Sequence, residues 1–184
     1  MATTMITPFS SIYDSFLAKV TDDMYMEMNE LDTFELLEEL LMNAIPFFEF
    51  PRVDLTSYEL SEITEEVKYT GVESNGEEVP AWLYDGGHFN SKLTFEEINI
   101  LSTYMIVEWL GQQLASVENV RMKYSGSDFK FTSQANHMQK ILQMKKDYER
   151  EGFHLQRLYK RRTTDKDGKV ISTIGSIMSS EGGY

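Results

Sequence analysis

LTFEEINILSTYMIVEWL, residues 93–110, is the stretch on which the fold turns. Thr94 is a hydroxyl N-cap, and Glu97, three residues on, can reach back to it in a capping box, so a helix starts here. Apolar residues then fall at Ile98, Leu101, Tyr104, Met105 and Trp109 and continue toward Leu114. That face is too broad to be covered by one neighbour, which predicts the central helix of a bundle. Gly111 lies within the run. A glycine there costs up to about 1 kcal/mol relative to alanine, and close approach of a second helix or an early helix end would account for it.

Working outward toward the N-terminus, Thr7-Pro8 reads as a helix start, with Thr7 as the cap. Phe9, Ile12, Tyr13, Phe16, Leu17 and Val20 follow as one apolar stripe. A second helix is expected from Asp32, capped by it with Glu35 in support. It carries Phe34, Leu37, Leu40, Leu41, Ala44 and Ile45 toward Pro46, with Glu35, Glu38 and Glu39 on the wet face. The apolar faces of these helices are expected to be core.

Between residues 47 and 92 the pattern changes. Pro46, Pro51 and Pro80 break helices, and Asn75-Gly76 separates Glu66-Val67-Lys68-Tyr69 from Val79-Pro80-Ala81-Trp82-Leu83-Tyr84. Asn-Gly between two such runs predicts a hairpin, with His88-Phe89 after Gly86-Gly87 as a third strand. Toward the C-terminus, residues 116–132 read as an ordered loop turning at Ser125-Gly126-Ser127-Asp128. Ser133 is expected to cap a last helix running to about Arg162, with Met138, Ile141, Leu142, Tyr148, Leu155 and Tyr159 as its apolar positions. Continuous, it would be about 45 Å long, so a break near Gly152 or a projecting end is expected. The fold class is therefore mainly α: a bundle of about four helices with a small β-hairpin insertion. Residues 1–162 form the helical domain, with the insertion at about 47–92, and residues 163–184 form an extended C-terminal tail.

The 184 residues contain no cysteine, which excludes disulfide scaffolds, thiolate metal sites and cysteine nucleophiles. No apolar run approaches membrane-spanning length and no signal sequence opens the chain, so a protein made in a cytoplasm without a membrane partner is expected. The net charge is −13, unevenly spread. Residues 1–119 carry four bases against 23 acids, and residues 120–184 carry 13 bases against seven acids. Contact with nucleic acid could rest only on the C-terminal third.

Motifs for catalysis are missing. His88, His137 and His154 have no metal-ligand spacing, and there is no nucleophile elbow, phosphate loop or dinucleotide fingerprint. Asp165-Lys166-Asp167-Gly168 lacks the further ligands of a calcium loop and reads as a turn. The pairs Glu38-Glu39 and Glu96-Glu97 read as solvated helix exteriors. No catalytic residue, cofactor or metal is expected, and the chain is expected not to be an enzyme. The stronger candidate is the cationic cluster Arg157, Lys160, Arg161 and Arg162. The helix macrodipole alone favours cations at a C-terminus. The functional alternative is docking onto an acidic surface, most simply the N-terminal part of an identical subunit. A head-to-tail contact of that kind closes into a ring when the rotation permits.

Leu93 to Leu101, Glu108-Trp109-Leu110, Tyr124-Ser125-Gly126-Ser127-Asp128-Phe129-Lys130 and Ser133-Gln134-Ala135-Asn136 together resemble the head–tail connector, or neck adaptor, proteins of tailed bacteriophages. The resemblance covers mainly residues 93–162. It implies a small helical virion subunit that forms a ring, commonly dodecameric, beneath the portal protein and above a downstream neck or tail protein. Double-stranded DNA would pass only transiently through the lumen. It also implies assembly in the host cytoplasm and residence in the virion neck. An acidic channel would let DNA slide, because like charges avoid tight phosphate contacts. The tail, with Ile171, Ile174, Ile177 and Met178, would dock on a neighbouring portal subunit. Two other readings stand beside this one: a small acidic regulator or DNA mimic that binds a nucleic-acid-processing partner, and a nucleic-acid binder using the basic helix 140–162.

Overall fold

The computed structural model describes residues 6–20, 30–60, 86–123, 131–164 and 170–171. It is mainly helical, with a small three-stranded antiparallel sheet, as the sequence pattern predicts. Strand β1 (Thr7–Pro8) leads into helix α1 (Ser10–Leu17), followed by α2 (Glu30–Ala44) and a 3-10 turn at Ile45–Phe47. Strands β2 (Tyr58–Leu60) and β3 (Gly87–Phe89) precede the long helices α3 (Phe95–Lys123) and α4 (Phe131–Arg161). Beyond α4, β4 (Thr163–Thr164) pairs antiparallel with β5 (Val170–Ile171), which places Ile171 opposite Thr163.

Helix α3 is the central element. Residues 100–107 are buried without interruption, and α3 packs against α1, α2 and α4. Phe9, just before α1, Ile12 and Phe16 from α1, and Leu40 and Leu41 from α2 are fully buried with Leu101 and Met105. The capping box forms as expected: Glu97 N donates to Thr94 Oγ1, while Thr94 N and Oγ1 donate to Glu97 Oε2 at 2.7 and 2.8 Å.

Helices α3 and α4 run antiparallel in a fixed register. Tyr159 bonds to Glu97. Gly152 meets Tyr104 and Gly111 meets Lys145. Each step is seven residues along both helices, the repeat of a left-handed supercoiled pair. Each glycine faces a long side chain. A β-carbon at 152 would lie 2.8 Å from Tyr104 Cζ, and one at 111 would lie 3.4 Å from Lys145 Cε. Close approach is thus the role of Gly152, whereas Gly111 makes only an ordinary contact with Lys145, and neither glycine ends a helix.

Several local expectations are corrected. Thr7 caps no helix: it lies in β1, its hydroxyl donates to Ser91 O at 2.9 Å, and it accepts from Leu93 N at 2.7 Å. Helix α1 starts one residue after Phe9, whose side chain makes no cap bond. Pro8, lacking an N–H, is tolerated because β1 is an edge strand in the order β1-β3-β2. Helix α2 starts at Glu30, so Asp32 is inside its first turn, where the macrodipole stabilises an acid as a cap would. Residues 116–123 continue α3 and are not a loop, and α4 starts at Phe131, so Ser133 is not its cap. Helix α4 does not break at Gly152, and the extended α3 runs beside it.

His88-Phe89 is a strand, as expected, paired with Thr7–Pro8 on one side and Tyr58–Leu60 on the other. Gly87 has φ +136°, and a β-carbon there would fall 2.2 Å from Glu59 O, so this backbone approach requires glycine. The predicted hairpin at 66–84, the turn at 125–128 and the tail residues Ile174, Ile177 and Met178 lie outside the described residues.

Candidate functional site

The C-terminal end of α4 is fastened by a set of hydrogen bonds whose anchors come from distant sequence. Gln156 is 5% exposed and Tyr159 is 2% exposed. Gln156 Nε2 donates to Tyr104 Oη at 2.6 Å and to Phe47 O at 2.8 Å, while its Oε1 accepts from Glu49 N at 2.9 Å. Tyr159 Oη donates to Glu97 Oε1 and accepts from Arg52 N at 3.1 Å. Burial, and then the bond to Glu97, push the Tyr159 phenol well above its usual range. Burial likewise raises that of Tyr104. Glu97 was expected on a helix exterior, yet it is 1% exposed, which corrects the reading of Glu96-Glu97 as a wholly solvated pair.

The α4 carbonyls are closed by Arg52, which the sequence pattern did not single out. Its Nη2 donates to Tyr159 O at 2.8 Å and also to Arg162 O, and its guanidinium lies 4.2 Å from the Tyr159 ring centroid. The orphan carbonyls of a helix end are thereby satisfied by a side chain 107 residues away. The four predicted cations then divide into two pairs. Lys160 Nζ stands 3.9 Å over the Phe50 ring, and Arg162 is ion-paired with Glu96. Arg157 and Arg161 are exposed and make no ion pair among the described residues.

Taking 100° per residue, the side of α4 opposite Tyr159 carries Gln143, Lys146, Arg150, His154, Arg157 and Arg161. All six are exposed, and the acids Asp147, Glu149 and Glu151 stand on the flanks. This gives a positive ridge on a chain of net charge −13. Large apolar side chains border it: Phe153 is 56% exposed and Leu158 36%. Phe95, at the first turn of α3, is 91% exposed. On the α1 side a groove of about 830 Å³ opens among α1, α3 and α4, with Ile98, Leu155 and Leu158 in its wall.

One cluster has the atoms of a serine–lysine dyad. Lys19 Nζ donates to Ser102 Oγ at 2.7 Å, Thr103 Oγ1 at 3.1 Å and Asn99 O at 3.3 Å, and Ser15 and Ser102 share a bond of 2.9 Å. Burial lowers the Lys19 pKa, with Glu151 opposing. Ser102 is 0% exposed, and its hydroxyl donates to Asn99 O at 3.1 Å. The surrounding N–H groups lie inside α1 and α3, committed to carbonyls one turn back, so they cannot hold an oxyanion. The cluster fastens α1 to α3. His88 is buried in β3 while His137 and His154 are exposed on α4, so the three do not converge. Among the described residues no group of three His, Asp or Glu can hold a metal, and no helix is long and apolar enough to cross a membrane.

The structure thus brings Arg157, Lys160, Arg161 and Arg162 to one rigid helix end. The exposed aromatics Phe50, Phe95 and Phe153 join this surface without having been predicted for it. Comparison of the chain with protein-family models, with curated proteins and with solved structures finds no match in any of the three.

Proposed function

We propose that the chain is a structural subunit of a bacteriophage neck, a head–tail connector that assembles as a ring between the portal protein and a downstream neck or tail protein. The observation that carries the reading is the α4 end. A rigidly held positive helix terminus, with Arg157 and Arg161 projecting outward, stands on a chain whose first 119 residues hold 23 acids. Such a surface suits docking onto an acidic partner, and the nearest acidic partner is a second copy. The resemblance over residues 93–162 supports the same reading, since it falls on the α3–α4 pair that forms the centre of the molecule.

The test is native mass spectrometry with negative-stain microscopy of the protein alone and mixed with the portal protein from the same genome. A closed ring, free or on the portal, is the expected result; a strict monomer that ignores the portal would refute the proposal. Charge reversal at Arg157 and Arg161 is expected to impair assembly. These two are better targets than Arg162, whose pair with Glu96 belongs to the fold. Deletion of residues 163–184 is expected to weaken portal docking with the helical domain intact, and unchanged docking would remove the tail from the proposal.

A second reading is favoured by the positive ridge of Lys146, Arg150, Arg157 and Arg161, which would follow a nucleic-acid backbone. Salt separates the two: phosphate contacts give an affinity that falls steeply with ionic strength, and absence of binding at low salt removes this reading.

A further inference from the structure

Two apolar surfaces flank the α4 ridge, and they differ in shape. Leu158 and Phe153 are five residues apart, about 140° around the helix, with Arg157 between them. On the Leu158 side lies the groove of about 830 Å³, with Phe95 at its lip, Ile98 and Leu155 in its wall, and Asp14 and Glu96 among its charges; Arg162 answers Glu96. On the Phe153 side there is only a smaller, more open depression of about 430 Å³, lined by Glu149, Arg150, Phe153, His154 and Arg157. Phe153 and Phe50 stand 56% and 47% exposed; Arg150 is paired with Asp147 and Glu149 with Lys145, which leaves Arg157, with Lys160 over Phe50, as the cations beside Phe153.

A single exposed aromatic needs no explanation, but aromatics that border a groove or gather beside cations are what contact surfaces are made of. We infer that the Phe153–Phe50 surface of one copy enters the Phe95–Leu158 groove of a second copy. Charge argues for this occupant. Exposed Asp14 on the groove side is free of any ion pair among the described residues and would meet the cations around Phe153. Because the two surfaces are unlike and lie on opposite flanks, the contact is heterologous. Every copy keeps one free surface of each kind, so addition continues and closes into a ring where the rotation permits. The inference deepens the ring reading above and rests on it.

The experiment uses the full chain with Phe153→Glu, and separately with Phe95→Glu. Both side chains are mostly exposed, and glutamate suits the first turn of α3, so both variants are expected to fold. Leu158→Glu provides a second change in the groove. Size-exclusion chromatography with light scattering is run from micromolar to millimolar concentration, with circular dichroism to verify the fold. Wild type is expected to self-associate, and each variant to lose affinity by about tenfold or more. Mixing Phe153→Glu with Phe95→Glu is expected to give a 1:1 heterodimer, since each retains the surface the other lacks. A wild-type monomer at millimolar concentration overturns the inference. So does an oligomer indifferent to Phe153→Glu, which would indicate a like-with-like contact. Rings that survive all three substitutions would leave the connector proposal standing and remove this contact. Assembly that obeys the pattern but forms open chains, with no closed ring free or on the portal, would do the reverse.

Discussion

Replacing Gly152 with alanine would ordinarily stabilise a helix interior by about 1 kcal/mol. Here it is expected to destabilise. The new β-carbon would lie 2.8 Å from Tyr104 Cζ and 3.1 Å from both Cε1 and Oη, where carbon atoms prefer about 3.5–4.0 Å. The ring cannot swing away freely. Tyr104 is 5% exposed, the Phe47 ring stacks on it at 5.6 Å and 15°, and its Oη accepts the 2.6 Å bond from Gln156. Overpacking of this kind costs about 1–3 kcal/mol, which exceeds or cancels the propensity gain and leaves a net loss of up to about 2 kcal/mol. For a chain of this size each kcal/mol moves the midpoint by about 2–4 °C. Thermal and urea unfolding followed by far-ultraviolet circular dichroism would measure it. In a Tyr104→Leu background the obstruction is gone, and the same alanine is expected to stabilise, which makes the pair a double-mutant cycle. A variant Gly152→Ala that melts above wild type, with Tyr104 intact, would refute the close-packing account.

The companion site gives the opposite sign: Gly111→Ala meets only the flexible Lys145 Cε at 3.4 Å and is expected to raise stability by about 0.5–1 kcal/mol in the same melts. Thr94→Ala removes the cap of α3 and a donor to the buried Glu97 carboxylate, so a loss of about 1–2 kcal/mol is expected in urea titrations. Tyr159 holds its proton more tightly folded than unfolded, so its stabilisation is complete below the unfolded value near pH 10 and fades as pH rises beyond it. Lys19, with a lowered pKa, works in the other sense, so the Tyr159 share is best read as the difference between wild type and Tyr159→Phe. That difference is expected to shrink above about pH 10, and a constant penalty across alkaline urea titrations would contradict the assignment.

What the sequence made legible was local chemistry. The Thr94–Glu97 box spans three residues, and its geometry follows from any helix start. The broad apolar face through Leu101, Tyr104, Met105 and Trp109 was visible, but the burial of Ser102 and Thr103 against Lys19 was not. Thr7-Pro8 misled because a hydroxyl followed by proline serves a helix cap and an edge strand equally, and the partners that decide, Ser91 and Leu93, are more than 80 residues away. Arg52 escaped notice for the same reason: nothing near it in sequence marks it as the closure of α4. At the candidate site, the cations were found by composition, but their division was not, since it depends on Phe50 and Glu96 arriving beside Lys160 and Arg162. The exposure of Phe95 was likewise hidden, because periodicity tells which way a side chain faces and not whether a neighbour covers it.

Glu97 serves two helix ends at once. Its Oε2 accepts from Thr94 at the start of α3, and its Oε1 accepts from Tyr159, 62 residues on, near the finish of α4. Helix termini ordinarily fray independently, each opening at a small local free energy. Here loosening either end withdraws a partner from a carboxylate that has no water to turn to. Amide hydrogens in the first turn of α3 and the last turn of α4 should therefore exchange as one unit, with a common opening free energy. The surface at the tip of α4 is held by a latch that closes only when both helices have formed.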